Sequence, residues 1–309
     1  MSQTLTICSW PLGDEGGRSA LPLVSVIVPV WNDLAGIEQC LAALRMQSYP
    51  SSRLQLIVVD NGSTDGSYEC AQSFSGVTVL REPEPGSYAA RNAGLARAQG
   101  TYVAFLDSDC VPDRRWVEEA VTIATRHSNL GVLAGRVNVA YGDRPPSAAA
   151  LYERMFSFNQ KANAEGGTCI TANWLSPKSI LDSFGGFDAT LKSGGDSKLS
   201  REISQAGHSV LYSDAMIVHH PARATITGLM AKRRRVIGGK WAVAPRSIFT
   251  PVRLAAALTW DAWLRSLLAL RARDFALARR LQIVGVIAVV WLAGLGEVVR
   301  LTAGFAPRR

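Results

Sequence analysis

The sequence predicts an α/β protein: a Rossmann-like, mostly parallel sheet flanked by helices, followed by a helical C-terminal tail. Three observations predict it. Apolar, β-branched runs alternate with stretches of helical periodicity from residue 24 to residue 106. Two of those runs end in acidic clusters, Leu54 to Val59 before Asp60-Asn61-Gly62-Ser63-Thr64-Asp65, and Tyr102 to Leu106 before Asp107-Ser108-Asp109, as buried parallel strands do. Charge also divides along the chain: residues 1 to 220 carry 17 Lys/Arg against 22 Asp/Glu, and residues 221 to 309 carry 16 against 3. The tail alone is basic, at a net +13.

Val24 to Pro29 reads as the first strand, with a turn at Trp31-Asn32-Asp33 and a helix over 34 to 47 that repeats Ile37, Leu41 and Leu44 at helical spacing. Leu54 to Val59 is the second strand, 66 to 74 a helix and Val77 to Leu80 a short third strand. Arg91 to Ala98 is helical, and Tyr102 to Leu106 is the strand before Asp107. Beyond Asp109 the spacing predicts a helix over 114 to 126, a strand at Gly131 to Val139 and a turn at Gly142 to Pro146. Ala148 to Gly195 is irregular and rich in Gly, Ser and Asn, with glycine pairs as hinges. A helix over 197 to 206 and a strand from Ser209 to Val218, ending at His219-His220, complete a domain over 23 to 225, between a flexible leader (1 to 22) and a tail (226 to 309).

Five cysteines with no close pairing exclude a disulfide framework and a zinc site, and fit a reducing cytosol. The first twenty residues lack the basic start and apolar run of a signal peptide. A nucleic-acid-binding domain would be basic throughout, so no nucleic acid partner is expected. In the tail, Lys232-Arg233-Arg234-Arg235 opens a basic stretch, 252 to 270 is amphipathic with Trp260 and Trp263, and 281 to 299 is apolar except for Gln282 and Glu297. Together these predict a membrane surface as partner, at the cytosolic face of the plasma (inner) membrane; a helical hairpin packed on the domain is the alternative.

Carboxylates delivered to the carboxyl ends of parallel strands meet in one oxygen-rich crevice, suited to Mg²⁺ or Mn²⁺ carrying the diphosphate of a nucleotide. The ordered blocks Pro29-Val30-Trp31-Asn32, Asp60 to Asp65, Ala90-Arg91-Asn92-Ala93-Gly94, Asp107-Ser108-Asp109, Gly185-Gly186-Phe187-Asp188 and Gly195-Asp196 closely resemble the family 2 glycosyltransferases, over about 24 to 220. The resemblance implies a GT-A fold, a nucleotide-sugar donor, an Mn²⁺ or Mg²⁺ ion, and inverting transfer to an acceptor hydroxyl. Pro29, Trp31, Asp60, Asn61, Arg91 and Asp107 would bind the donor, with Trp31 stacking on the base and Arg91 approaching the phosphates. Asp109 would ligate the metal, with Asp107 on ribose or metal-bound water, and His219 would complete the shell. In a strand His219 and His220 cannot both face the site. Asp65 reads as a helix cap. Asp196 would be the general base, taking the acceptor proton, or a cap for the helix after it.

Two departures stand out. Relatives usually show Glu-Asp where this chain has Gly195-Asp196. The Gln-x-x-Arg-Trp motif of processive members is replaced by Ile237-Gly238-Gly239-Lys240-Trp241, which argues against a polymerising synthase. The expected acceptor is a lipid-linked or cell-envelope glycan. Two rivals are a sugar nucleotidyltransferase, whose Gly-rich phosphate loop is missing after the first strand, and a non-catalytic glycan-binding or membrane scaffold.

Overall fold

A computed structural model describes residues 21–141, 145–245 and 247–307. Nearly all of the expected leader, and Gly142 to Arg144 of the expected turn, lie outside the described residues. Eight strands form one sheet in the order β3-β2-β1-β4-β7-β6-β8-β5. Its first half is parallel and nearly as expected: β1 (Val24–Val30), β2 (Leu54–Asp60), β3 (Val77–Arg81) and β4 (Tyr102–Leu106), with Val28 opposite Val58 and Ile27 opposite Phe105. Helices α1 (Leu34–Arg45), α2 (Ser67–Ser73) and α3 (Ser87–Arg97) join these strands, so the loops after β1, β2 and β4 open at one edge. Successive β1 residues point to opposite faces. Val26 and Val28 pack with Ile37 and Leu41 of α1 and Trp116 of α4 (Trp116–Ala124); Ile27 packs with Leu95 of α3.

The second half departs from a parallel sheet. β7 (Asn173–Pro177) lies antiparallel between β4 and β6 (Leu130–Ala140), inside the stretch expected to be irregular, and α5 (Ala148–Phe156), α6 (Gln160–Glu165) and α7 (Lys178–Ser183) flank it. Polar residues at core positions hide this strand from a hydrophobicity pattern. Asn173 is fully buried; its amide donates to the carbonyls of Arg136 and Met216 at 2.8 Å and accepts from the Trp116 indole at 2.8 Å. Ser176 accepts from the Trp174 indole at 2.7 Å. With each polar group satisfied, the strand tolerates the core. α8 (Gly195–Gln205) leads to β8 (Ser209–Pro221), parallel to β6 and antiparallel to the two-residue β5 (Val111–Pro112).

The tail is not a detached appendage. It forms α9 (Ile226–Val243), α10 (Thr250–Arg271) and α11 (Leu277–Thr302), and Leu229, Ala269, Ile283, Val286 and Val290 pack on Ala149, Leu151 and Tyr152 of α5. Beneath them the fully buried Glu153 accepts from Arg223 at 2.6 Å and Lys232 at 2.9 Å. The outer face is apolar and exposed: Trp260 and Trp263 stack at 4.8 Å, with Val252, Leu264, Leu277, Leu292 and Val299 also exposed. α11, at 26 residues, is long and apolar enough to cross a membrane, yet one side of it is packed in this bundle.

Candidate active site

The carboxyl edge of the parallel strands is held by its own polar side chains. Asp33 caps α1 by accepting from the Gly36 amide at 3.2 Å and accepts from the Ser108 hydroxyl at 2.7 Å, tying the β1 loop to the Asp107 loop. Asn32, at φ 49°, donates its backbone amide to the Ser63 hydroxyl and accepts from the Thr64 amide, tying β1 to β2. Asp65 accepts from the amides of Ser67 and Leu34, both at 3.0 Å, so it orders the starts of α2 and α1 together. Trp31 stands half exposed just past the end of β1.

Asp60 and Asn61, expected to contact the donor, are buried and engaged in building these loops. Asp60 accepts from the amides of Gly62 and Ser63, while Asn61 donates to the carbonyls of Glu82 and Glu84 and accepts from the Gly86 amide at 2.8 Å. Backbone groups released where a buried strand ends need such partners. Asn61 thereby fixes the entry of α3, and with it Arg91.

Arg91 is expected near the donor phosphates. It is 4% exposed and donates to Asp107 Oδ1 at 2.5 Å, so it orients that carboxylate from beneath. Its Nε finds no partner among the described residues. Asn92 beside it exchanges two hydrogen bonds with the backbone of Phe187, at 2.7 and 2.9 Å, locking the Arg-Asn block to the Gly185-Gly186-Phe187-Asp188 block. Gly186, at φ 74°, approaches so closely that a Cβ there would lie 2.7 Å from the Asn92 oxygen.

The structure sets the two histidines apart. His219 turns outward, 2.8 Å from Asp113, whereas the buried His220 brings Nε2 to 3.2 Å from Asp109 Oδ2. Strand alternation holds, with parity opposite to the expectation: His219 pairs with Val111 on the β5 side and His220 takes the inner face. His220 Nδ1 lies 2.7 Å from the Pro221 carbonyl, which can only accept, so Nδ1 carries the proton. Nε2 then turns a lone pair toward a carboxylate unless a proton or a cation lies between them. Burial pushes the Asp109 carboxyl up, against the pull of His220. Donor atoms of Asp109, Cys110 and His220 lie within 4.8 Å of one another, a group that could hold a metal ion; burial raises the Cys110 thiol.

Asp196 completes the site. It lies in the first turn of α8 rather than at its cap, which is Gly194 at φ 84°. Its Oδ1 accepts from the Ser197 amide at 2.8 Å and from the Tyr88 hydroxyl at 3.2 Å. Burial raises its pKa; the Ser197 amide, Arg91 and Tyr88 restrain the rise. Tyr88 also explains the Gly-Asp departure: its ring occupies the space beside Gly195, where an added Cβ would lie 2.8 Å from it. Arg91, Asp107, Asp196 and His220 line one cleft of about 1060 Å³, together with Tyr88, Phe158 and α9. Sequence reasoning missed Tyr88 and the part played by α9. Only the run of cations in α9 carried a signal.

A GT-A-like sheet with this edge defines the class. A model of Glycosyl transferase family 2 matches residues 25–184, and the chain belongs to that family. It is a glycosyltransferase. It is 35% identical over 231 residues to Glycosyltransferase AglE of Haloferax volcanii, covering 72% of this chain and 74% of the relative. It is 30% identical over 243 residues to the Pre-mycofactocin glycosyltransferase of Mycobacterium tuberculosis, covering 75% of this chain and 49% of that relative. Among solved structures, the mannosyltransferase PcManGT of Pyrobaculum calidifontis, in complex with GDP-Man and Mn²⁺, superimposes with TM-score 0.60 at 20% identity over 93% of this chain and 87% of that one. S. aureus TarS 1–349, in complex with UDP-GlcNAc, gives TM-score 0.53 at 19% identity over 86% and 71%. Family membership removes the nucleotidyltransferase and scaffold readings.

Proposed function

We propose that this enzyme moves one sugar, with inversion, from a nucleoside diphosphate sugar to the hydroxyl of a lipid-linked or envelope glycan acceptor at the cytosolic face of the membrane. The observation that carries the reading is that Asp107, held by Arg91, and Asp196, held by Tyr88, line the same cleft. Inversion by one displacement needs a base on the face opposite the leaving diphosphate. A carboxylate whose proton affinity is raised by burial, yet still stabilised as an anion by two donors, is suited to that work. Trp31 offers its half-exposed ring to the nucleotide base, and Asp107 faces the donor from the strand edge. Asp109 and His220 would hold a divalent cation, which when bound neutralises diphosphate charge. The mannosyltransferase with GDP-Man and Mn²⁺ supports that assignment by likeness of fold. The exposed tryptophan face of α10 and α11, with the basic tail around it, supports a membrane surface as partner.

The test is release of nucleoside diphosphate by purified full-length protein over a panel of nucleotide sugars, with and without Mn²⁺. The expected result is a metal-dependent turnover with one donor, and thermal stabilisation by that donor. Undiminished turnover after exhaustive chelation overturns the metal assignment. The absence of any stabilising or hydrolysed nucleotide sugar overturns the donor reading.

A further inference from the structure

The wall of the cleft formed by α9 is built of cations. α9 carries Lys232, Arg233, Arg234, Arg235 and Lys240 and no acidic residue. Four of these, all but Arg234, line the cavity that holds Asp107 and Asp196, joined by Arg265 of α10. The fold compensates only part of this charge. Glu153 serves Lys232 and Arg223, and Asp261 serves Arg233 at 2.9 Å and Arg265 at 2.8 Å. Among the described residues Arg235 and Lys240 form no ion pair, and the buried Nε of Arg233 has no hydrogen-bond partner. Burial and then Arg223 hold the Lys232 ammonium below the usual lysine range despite Glu153. Cations left facing one another in a cavity repel, and an anion with several oxygens relieves them.

The place of these cations identifies which substrate they meet. α9 abuts the loop that leads into Asp196: Gly239 comes so near Ser193 that a Cβ would lie 2.5 Å from its carbonyl oxygen. The cations therefore stand on the side of the base, where the acceptor hydroxyl must come. On its other side α9 presents Leu229 and Ile237 to the bundle whose outer face is the exposed apolar surface. We propose that Arg233, Arg235 and Lys240 form an anion subsite that grips a phosphate or diphosphate on the acceptor, beside the hydroxyl that Asp196 activates. This rests on the function proposed above and names the group by which that acceptor is recognised. Guanidinium forks and an ammonium match phosphate oxygens.

The test titrates the full-length protein with farnesyl diphosphate, farnesyl phosphate and farnesol, which share one apolar chain, and with inorganic pyrophosphate and phosphatidylglycerol vesicles as competitors. Farnesyl diphosphate is expected to bind about tenfold or more tightly than farnesol, and pyrophosphate to displace it, since hydrogen bonds between charged partners are the strong ones. Arg235→Gln with Lys240→Gln is expected to remove that advantage, while stabilisation by nucleotide sugar reports an intact donor site. Equal binding of farnesol and farnesyl diphosphate overturns the proposal, as does a double variant with wild-type affinity. Vesicles that compete as well as pyrophosphate assign the anion to a lipid headgroup, which also overturns it. Loss of all stabilisation by nucleotide sugar in the wild type would instead fault the donor reading, so the two failures are distinguishable.

Discussion

Asp196 owes its basicity to burial and its anionic form to two donors, and these opposed influences set its working range. As the proposed base Asp196 would act as a carboxylate, so a pKa above the ordinary aspartate range is expected to move the acid limb of the activity profile upward in pH. Asp196→Asn is expected to lower transfer by about 10²-fold or more with nucleotide-sugar affinity retained, read by calorimetric titration beside turnover. Tyr88→Phe removes a hydrogen bond that favours the anion. Its acid limb is expected to shift to higher pH by about one unit, with the fold intact, and an unmoved profile would deny Tyr88 this role. Asp107 and Asp109 stand out in the sequence because they follow an apolar strand run, and Asp196 because Gly195-Asp196 is one of the blocks that carry the resemblance. The choice between His219 and His220 does not, since it depends on the register of β8 against the two-residue β5. Tyr88 was hidden because its partner lies 108 positions away.

Between elements, close approach replaces sequence pattern as the carrier of information. Tyr88 is pinned by stacking on Phe187 at 5.6 Å, so the space beside Gly195 does not open to admit a side chain. Gly195→Glu is expected to destabilise by ~1–3 kcal/mol in urea unfolding, as overpacking does. Combined with Tyr88→Ala, it is expected to show a favourable coupling of at least ~0.5 kcal/mol in a double-mutant cycle; strict additivity would refute the steric account. Asn92→Ala leaves the buried amide and carbonyl of Phe187 unpaired, and a loss of ~1–3 kcal/mol is expected from the same measurement. The parallel strands were legible from their apolar runs. β7 was not, because Asn173 and Ser176 occupy core positions through hydrogen bonds that no periodicity records.

Across the whole molecule, net charge misleads until it is divided, because much of the tail's basic character faces the cleft rather than a bilayer. The proposed membrane attachment then rests chiefly on the apolar outer face. Trp260→Ser with Trp263→Ser is expected to weaken flotation with anionic vesicles by about tenfold or more, since burying each large apolar side chain contributes ~1.5–3 kcal/mol. Full retention would place the attachment elsewhere. A separable tail would tolerate truncation after about residue 250; this bundle would not, because that cut uncovers Leu151, Leu229 and Ile237. The sheet order has a further consequence for how the enzyme matures. Asp107 and Asp109 leave the ribosome more than a hundred residues ahead of His220, and β5 closes only when β8 arrives to pair Val111 with His219. Such long-range pairing is slow compared with the local βα units that precede it. The acidic edge thus exists on the nascent chain before its imidazole partner, and a cation held as proposed by Asp109 and His220 would begin to protect the protein only after β8 has paired.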